Sequence, residues 1–124
     1  MKNPTSPVCR TFSTLLSRIG DKWTVLVVQT LGEGPRRFNE LRREIPSVSQ
    51  RMLTLTLRNL ERDGLVSRPV TPTIPPRVDY ELTELGQSLL KPILGLAGWA
   101  LDNVDAIHAA QAQYDAEQDA SIAA

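Results

Sequence analysis

Three observations predict a mainly α-helical fold (α+β) carrying one small β-hairpin. Four short segments before residue 64 space their apolar residues at helical intervals. Two β-type runs, 65–70 and 78–82, follow at once and flank a proline-rich stretch. A long helical pattern then begins after Thr83. With 124 residues, 41% hydrophobic and 23% charged, the chain suits one domain and excludes a disordered or fibrous one.

Each element has a local reason. Residues 1–8 contain Pro4 and Pro7 and are expected to form a flexible arm. Phe12, Leu15, Leu16 and Ile19 recur at i, i+3, i+4 and i+7, which marks a first helix ended by Gly20. Asp21 is placed to cap a second helix, whose stripe is Trp23, Leu26, Val27, Thr30 and Leu31 and which stops at 32–35. A third, short helix carries Phe38, Leu41 and Ile45 and ends at Pro46. Ser47-Val48-Ser49 makes a turn, and the Ser49 hydroxyl caps a fourth helix that runs to about Asp63 and closes on Gly64.

Between the two β-type runs, residues 71–77 are too rich in proline to pair within a sheet. The reading is a hairpin with a stiff, projecting loop. Thr83 caps the last helix, which Pro92 is expected to kink or split, and the Ala/Gln/Asp tail over 114–124 is expected to fray. Two short helices joined by a three-residue turn form a helix-turn-helix, and the hairpin behind them makes it winged. The boundaries expected are 9–113 for the domain, about 36–63 for the helix-turn-helix, 65–82 for the wing and 83–113 for the last helix.

Net charge is zero, but its distribution is not even. Residues 1–80 hold 13 Lys/Arg against 7 Asp/Glu, while residues 81–124 hold Lys91 against 7 acids. Between 36 and 77 stand nine arginines and four carboxylates. Rotating the fourth helix by about 100° per residue places Leu53, Leu57, Leu60 and Thr56 on one side. Arg51, Thr54, Leu55, Arg58 and Arg62 fall opposite. A major groove admits one helix, and arginine forks to guanine O6/N7 or to phosphate. Arg36, Arg37, Arg42 and Arg43 ahead of this stripe, and Arg68 and Arg77 on the hairpin, would track a duplex backbone. Arg77 is expected near the wing tip, on the adjacent minor groove or its phosphates.

Other chemistries find little support. His108 is the sole histidine, no ligand set stands at metal spacing, and no glycine-rich phosphate loop occurs. No cofactor, metal or catalytic residue is expected. The longest run of apolar residues and glycines, 93–101, is far short of the roughly 20 residues that span a bilayer. No secretory signal is visible near the N-terminus, and Cys9 is the single cysteine, so a cytoplasmic, nucleoid-associated location is expected.

The segments 19–24, 34–41, 45–53, 60–66 and 75–86 together resemble the HxlR-type transcriptional regulators, with spacing intact over roughly residues 9–102. The resemblance implies a bacterial, dimeric winged-helix DNA-binding protein related to the MarR type. It implies a dimer interface made by the first and last helices, here Phe12, Leu16, Leu94, Trp99, Leu101 and Val104. It places Ser49, Gln50, Arg51, Thr54 and Arg58 in the groove and Arg77 on the wing, and Ser47 of the turn is also a candidate DNA contact. Leu55 stands where a polar residue is more usual.

The dimer is also motivated by composition, since Leu94, Leu96, Leu101 and Val104 occupy more than one stripe of a helix that a small domain cannot cover. The other reading is that the first and second helices cover that face within one chain. Cys9, just ahead of the first helix and beside Arg10, is a candidate redox sensor, although members of the family usually carry proline where Arg10 stands. An inert buried thiol is the alternative. The expectation is a homodimeric, sequence-specific regulator, with residues 49–62 in the major groove of a palindromic operator on double-stranded DNA and the wing loop 71–77 beside it. No effector ligand is identifiable. The alternative is a winged helix that binds an acidic protein partner.

Overall fold

The computed structural model describes residues 7–123. The expected arm over 1–8 lies outside that range except for Pro7 and Val8, which open a helix instead. The elements are α1 (Pro7–Gly20), α2 (Lys22–Gly32), α3 (Phe38–Glu44), α4 (Gln50–Arg62), β1 (Val66–Ser67), β2 (Val70–Thr71), β3 (Arg77–Val78), β4 (Glu81–Leu82) and α5 (Glu84–Ala123). This is a winged helix-turn-helix, mainly helical with one small hairpin.

Two units make up the chain: one ends at Ile93, and the rest of α5 from Leu94 is the other. In the first, α2 is the central helix and packs on α1, α3, α4 and β4. Its burial therefore spreads beyond the single stripe read from spacing. Thr24, Val27, Val28 and Leu31 are buried, while Trp23, Leu26 and Thr30 pack only partly. The core adds Leu41 and Ile45 of the α3 segment, Val48 of the turn, Leu53, Leu57 and Leu60 of α4, Val66 and Ile93. Buried Thr24 is satisfied through its hydroxyl, which donates to Asp21 Oδ2 at 3.3 Å.

Caps fix the helix starts. Asp21 accepts from the Trp23 N–H at 3.3 Å, Ser49 Oγ from the Met52 N–H at 3.0 Å, and Thr83 Oγ1 from the Gly86 N–H at 3.1 Å. Gly64 takes the left-handed conformation that closes α4 (φ 76°). At Gly86 a Cβ would run into the Leu65 carbonyl oxygen, so only glycine lets α5 start this close to the end of the helix-turn-helix. Arg18 Nε reaches Asp63 Oδ2 at 2.6 Å and ties α1 to the C-cap of α4.

The hairpin is one ladder broken in two. Val66 pairs with Leu82 and Ser67 with Glu81; further out, Val70 pairs with Val78 and Thr71 with Arg77. Pro69 has no N–H to give and interrupts the ladder, although its carbonyl still accepts from the Asp79 N–H at 3.1 Å. The loop is therefore shorter than expected, because Thr71 and Arg77 are strand residues and only 72–76 project. Arg77 stands one ladder pair below the tip rather than at it.

Pro92 does not split α5, whose helical backbone continues on both sides of it. One proline removes one hydrogen bond to the preceding turn, and the neighbouring bonds carry the helix past. The segment after Tyr114 is helical to Ala123, and Ala116, Glu117, Gln118, Ala120 and Ala123 within it are good helix formers.

Candidate nucleic-acid interface

α3, the turn at 45–49 and α4 form the helix-turn-helix. Ser47 adopts a left-handed backbone (φ 68°), which turns the chain sharply, and Val48 plugs the core beneath it. The turn thus holds α4 by its buried valine and leaves Ser47 and Ser49 exposed.

α4 has two distinct faces. Leu53, Thr56, Leu57 and Leu60 are all buried, each 3% exposed or less. Gln50, Arg51, Thr54, Leu55, Arg58 and Arg62 are exposed. Ordered by a buried leucine rail, the three arginines point outward together, and none forms an ion pair among the described residues. Their charge is available to an anion. The Ser49 hydroxyl accepts from the Met52 N–H, so its oxygen is partly used by the cap while its proton stays available to a ligand.

α3 contributes a second cationic surface. Arg37, Phe38, Asn39, Glu40, Arg43 and Val78 line an open cleft of about 500 Å³ between α3 and β3. A neighbouring concavity shares Asn39 and Arg43 and adds Arg42. Arg37, Arg42 and Arg43 are exposed and likewise form no ion pair among the described residues. Asn39 was not singled out in sequence. Its spacing of i, i+3 and i+4 to Arg42 and Arg43 is the signal that places all three on one face.

Arg36 sits elsewhere. Its Nε donates to Glu44 Oε2 at 2.7 Å, and its terminal nitrogens donate to Glu33 Oε2 at 3.2 Å and to the Gly34 and Pro35 carbonyls at 3.0 and 3.1 Å. The hydrogen bond to Glu44, backed by the charges of Glu44, Glu33 and Glu40, raises its pKa above the ordinary guanidinium value. Its backbone pairs with Tyr80 (N···O 3.0 and 2.8 Å), so the wing is joined to the loop before α3. Arg36 is a clamp between elements, its guanidinium already engaged by two carboxylates and two carbonyls.

Arg77 is half-exposed, and its Nε donates to the Asp79 carboxylate at 3.1–3.2 Å. Arg68 is exposed on the β1–β2 segment. Among the dimer residues expected, Phe12 and Leu16 on α1 and Leu94, Trp99, Leu101 and Val104 on α5 are exposed in the single chain. Cys9 lies half-buried in the first turn of α1. No group of three or more potential metal ligands gathers among the described residues, and no helix among them is long and apolar enough to cross a membrane.

A helix-turn-helix with an arginine-bearing second helix and a paired wing defines a DNA-binding transcriptional regulator. Residues 18–108 match the HxlR-like helix-turn-helix family, and the chain belongs to it. It is 44% identical over 105 residues to the uncharacterized HTH-type transcriptional regulator YdeP of Bacillus subtilis, covering 82% of each chain. Among solved structures, the putative transcriptional regulator ytfH from Salmonella typhimurium superposes with a TM-score of 0.75 at 33% identity, over 88% of this chain and 94% of that one. The redox regulator HypR in its reduced form superposes with a TM-score of 0.73 at 43% identity, over 84% and 99%. Fold neighbours include regulators of the MarR family.

Proposed function

We propose that the protein is a homodimeric, sequence-specific regulator that binds a palindromic operator, one α4 in each of two successive major grooves. The observation that carries this is the exposed row of Arg51, Thr54, Arg58 and Arg62 opposite a buried leucine face. Arginine discriminates guanine by a bidentate bond, and threonine offers a methyl to thymine. Arg37, Arg42, Arg43 and Arg68 supply phosphate contacts on either side, and the wing lies along the adjacent groove. The family supports the reading, as does the separation of the cationic helix-turn-helix from the acidic, apolar-striped end of α5.

Dimerisation rests on exposed aliphatic and aromatic side chains. Leu94, Trp99 and Leu101 are each more than half exposed, an arrangement that a second copy relieves by burial. Two-fold symmetry then sets half-sites about 34–36 Å apart. Selection of duplexes from a random pool, with sedimentation of the bound species, tests both points. The expected result is an inverted repeat bound by two chains; recovery of unrelated sequences would refute specific recognition.

A second reading concerns Cys9 and is favoured by the likeness to HypR, a redox regulator. Cys9 lies half-buried in the first turn of α1, and it is the single cysteine of the sequence. In this reading oxidation of Cys9 weakens operator binding. Oxidant should lower the affinity of the wild type and leave Cys9→Ser unchanged; equal loss in both proteins would refute it.

A further inference from the structure

The wing tip carries an aliphatic side chain that nothing in the described chain covers. Ile74 is fully exposed (101%), at the centre of the projecting loop 72–76. Isoleucine in water forgoes the stabilisation that burial would return. The loop presents it stiffly. Pro72, Pro75 and Pro76 fix three of its five backbone φ angles. The Thr73 N–H donates to the Thr71 carbonyl and the Thr73 hydroxyl to the Pro75 carbonyl, both at 2.8 Å. The Val70–Val78 and Thr71–Arg77 pairs anchor the base. Little conformational entropy is left to lose when such a tip inserts into a partner.

The surroundings indicate what it enters. Arg77 stands one ladder pair behind the tip, held by Asp79 yet half-exposed, and Arg68 is exposed further down the hairpin. An apolar point backed by cations fits a target that is anionic at its edges and apolar between them. The minor groove of DNA is that target: two phosphate rails with stacked bases between, into which aliphatic and proline wedges insert.

We propose that Ile74 is a wedge that enters the minor groove flanking each half-site and partly unstacks one base step, kinking the duplex toward its major groove. The proposal rests on the DNA-binding reading above. It adds a specificity element outside the major groove, because pyrimidine–purine steps unstack most cheaply. Selected operators should therefore carry TA or CA/TG at a fixed distance outside the bases read by α4.

The test uses a duplex selected by the full-length wild type, end-labelled for energy transfer and carrying 2-aminopurine at the flanking step. Wild type should shorten the end-to-end distance, corresponding to a kink in the 20–90° range, and brighten the 2-aminopurine. Ile74→Ser should lose the brightening and most of the bend while keeping the major-groove base preference and the salt dependence. Ile74→Leu should restore both signals. Because the side chain is fully exposed, the thermal midpoint of each variant should match the wild type, which separates the effect from misfolding. Specific binding with equal bending and no brightening in wild type and Ile74→Ser overturns the wedge and leaves the regulator standing. Loss of self-association in Ile74→Ser, with DNA bending intact, also overturns it, in favour of a protein contact at the tip. Failure of the wild type to prefer any sequence removes the DNA-binding reading and the wedge together.

Discussion

α4 and the part of α5 beyond Ile93 are both helices with apolar residues, and they treat those residues in opposite ways. In α4 the leucines at 53, 57 and 60 are buried, and the exposed residues are polar or charged apart from Leu55. Beyond Ile93, α5 has no buried residue among those described, and Leu94, Leu96, Trp99 and Leu101 lie open. A helix whose apolar stripe is covered within its own chain is a finished presenting surface. One whose apolar residues stay exposed leaves surface that a partner's burial would relieve. In the proposed dimer the contrast separates two tasks: α4, backed by its buried leucines, would meet DNA, and the open residues of α5 would meet a second copy.

The largest expected effect lies on the covered side. Leu57→Ala should cost about 2–5 kcal/mol of unfolding free energy, because the side chain is buried in the core and a cavity remains. Chemical denaturation reads this directly, and a loss below 1 kcal/mol would mean that the leucine rail does not hold α4. On the open side, Trp99→Ala should leave folding nearly unchanged and weaken self-association by roughly 2 kcal/mol, about thirtyfold in the dimer dissociation constant. Sedimentation equilibrium checks it; an unchanged dimer would place the interface elsewhere.

Smaller effects sharpen the comparison. Ser49→Ala removes the hydroxyl that accepts from the Met52 N–H and should cost about 1 kcal/mol in thermal or chemical unfolding. Arg43→Ala and Arg36→Ala should then part company. Loss of exposed Arg43 should reduce the slope of log affinity against log salt by about one and weaken all sequences alike. Loss of Arg36 should lower the melting temperature, since the clamp to Glu33, Glu44 and the loop carbonyls is gone, and leave the salt slope in place. Equal salt slopes for the two variants would contradict the assignment of Arg36 to structure.

Much of this was readable from residue order, because the information was local. The two faces of α4 follow from a rotation of about 100° per residue, and the caps at Asp21, Ser49 and Thr83 follow from side chains that reach only two or three residues along. What could not be read depends on residues far apart in sequence. Arg36 looks like one more surface arginine until Tyr80 and Glu44 are brought beside it. Val28 and Thr24 look like the wrong face of α2 until helices pack on more than one side of it. The break at Pro69 and the pairing of Thr71 with Arg77 depend on cross-strand register, which composition does not specify. Ile74 is a different case: its residue type suggested nothing, and only full exposure at a braced tip gives it meaning.

The central claim is that the outward row on α4 reads bases. It is tested most directly by measuring the affinity of wild type, Arg51→Ala and Arg58→Ala for a selected operator and for every single-base change within it, at one fixed salt concentration. Each alanine variant should lose about 1–3 kcal/mol on the operator and become indifferent to the base at one position per half-site. A uniform loss, with every base preference retained, would show that these arginines only hold the backbone.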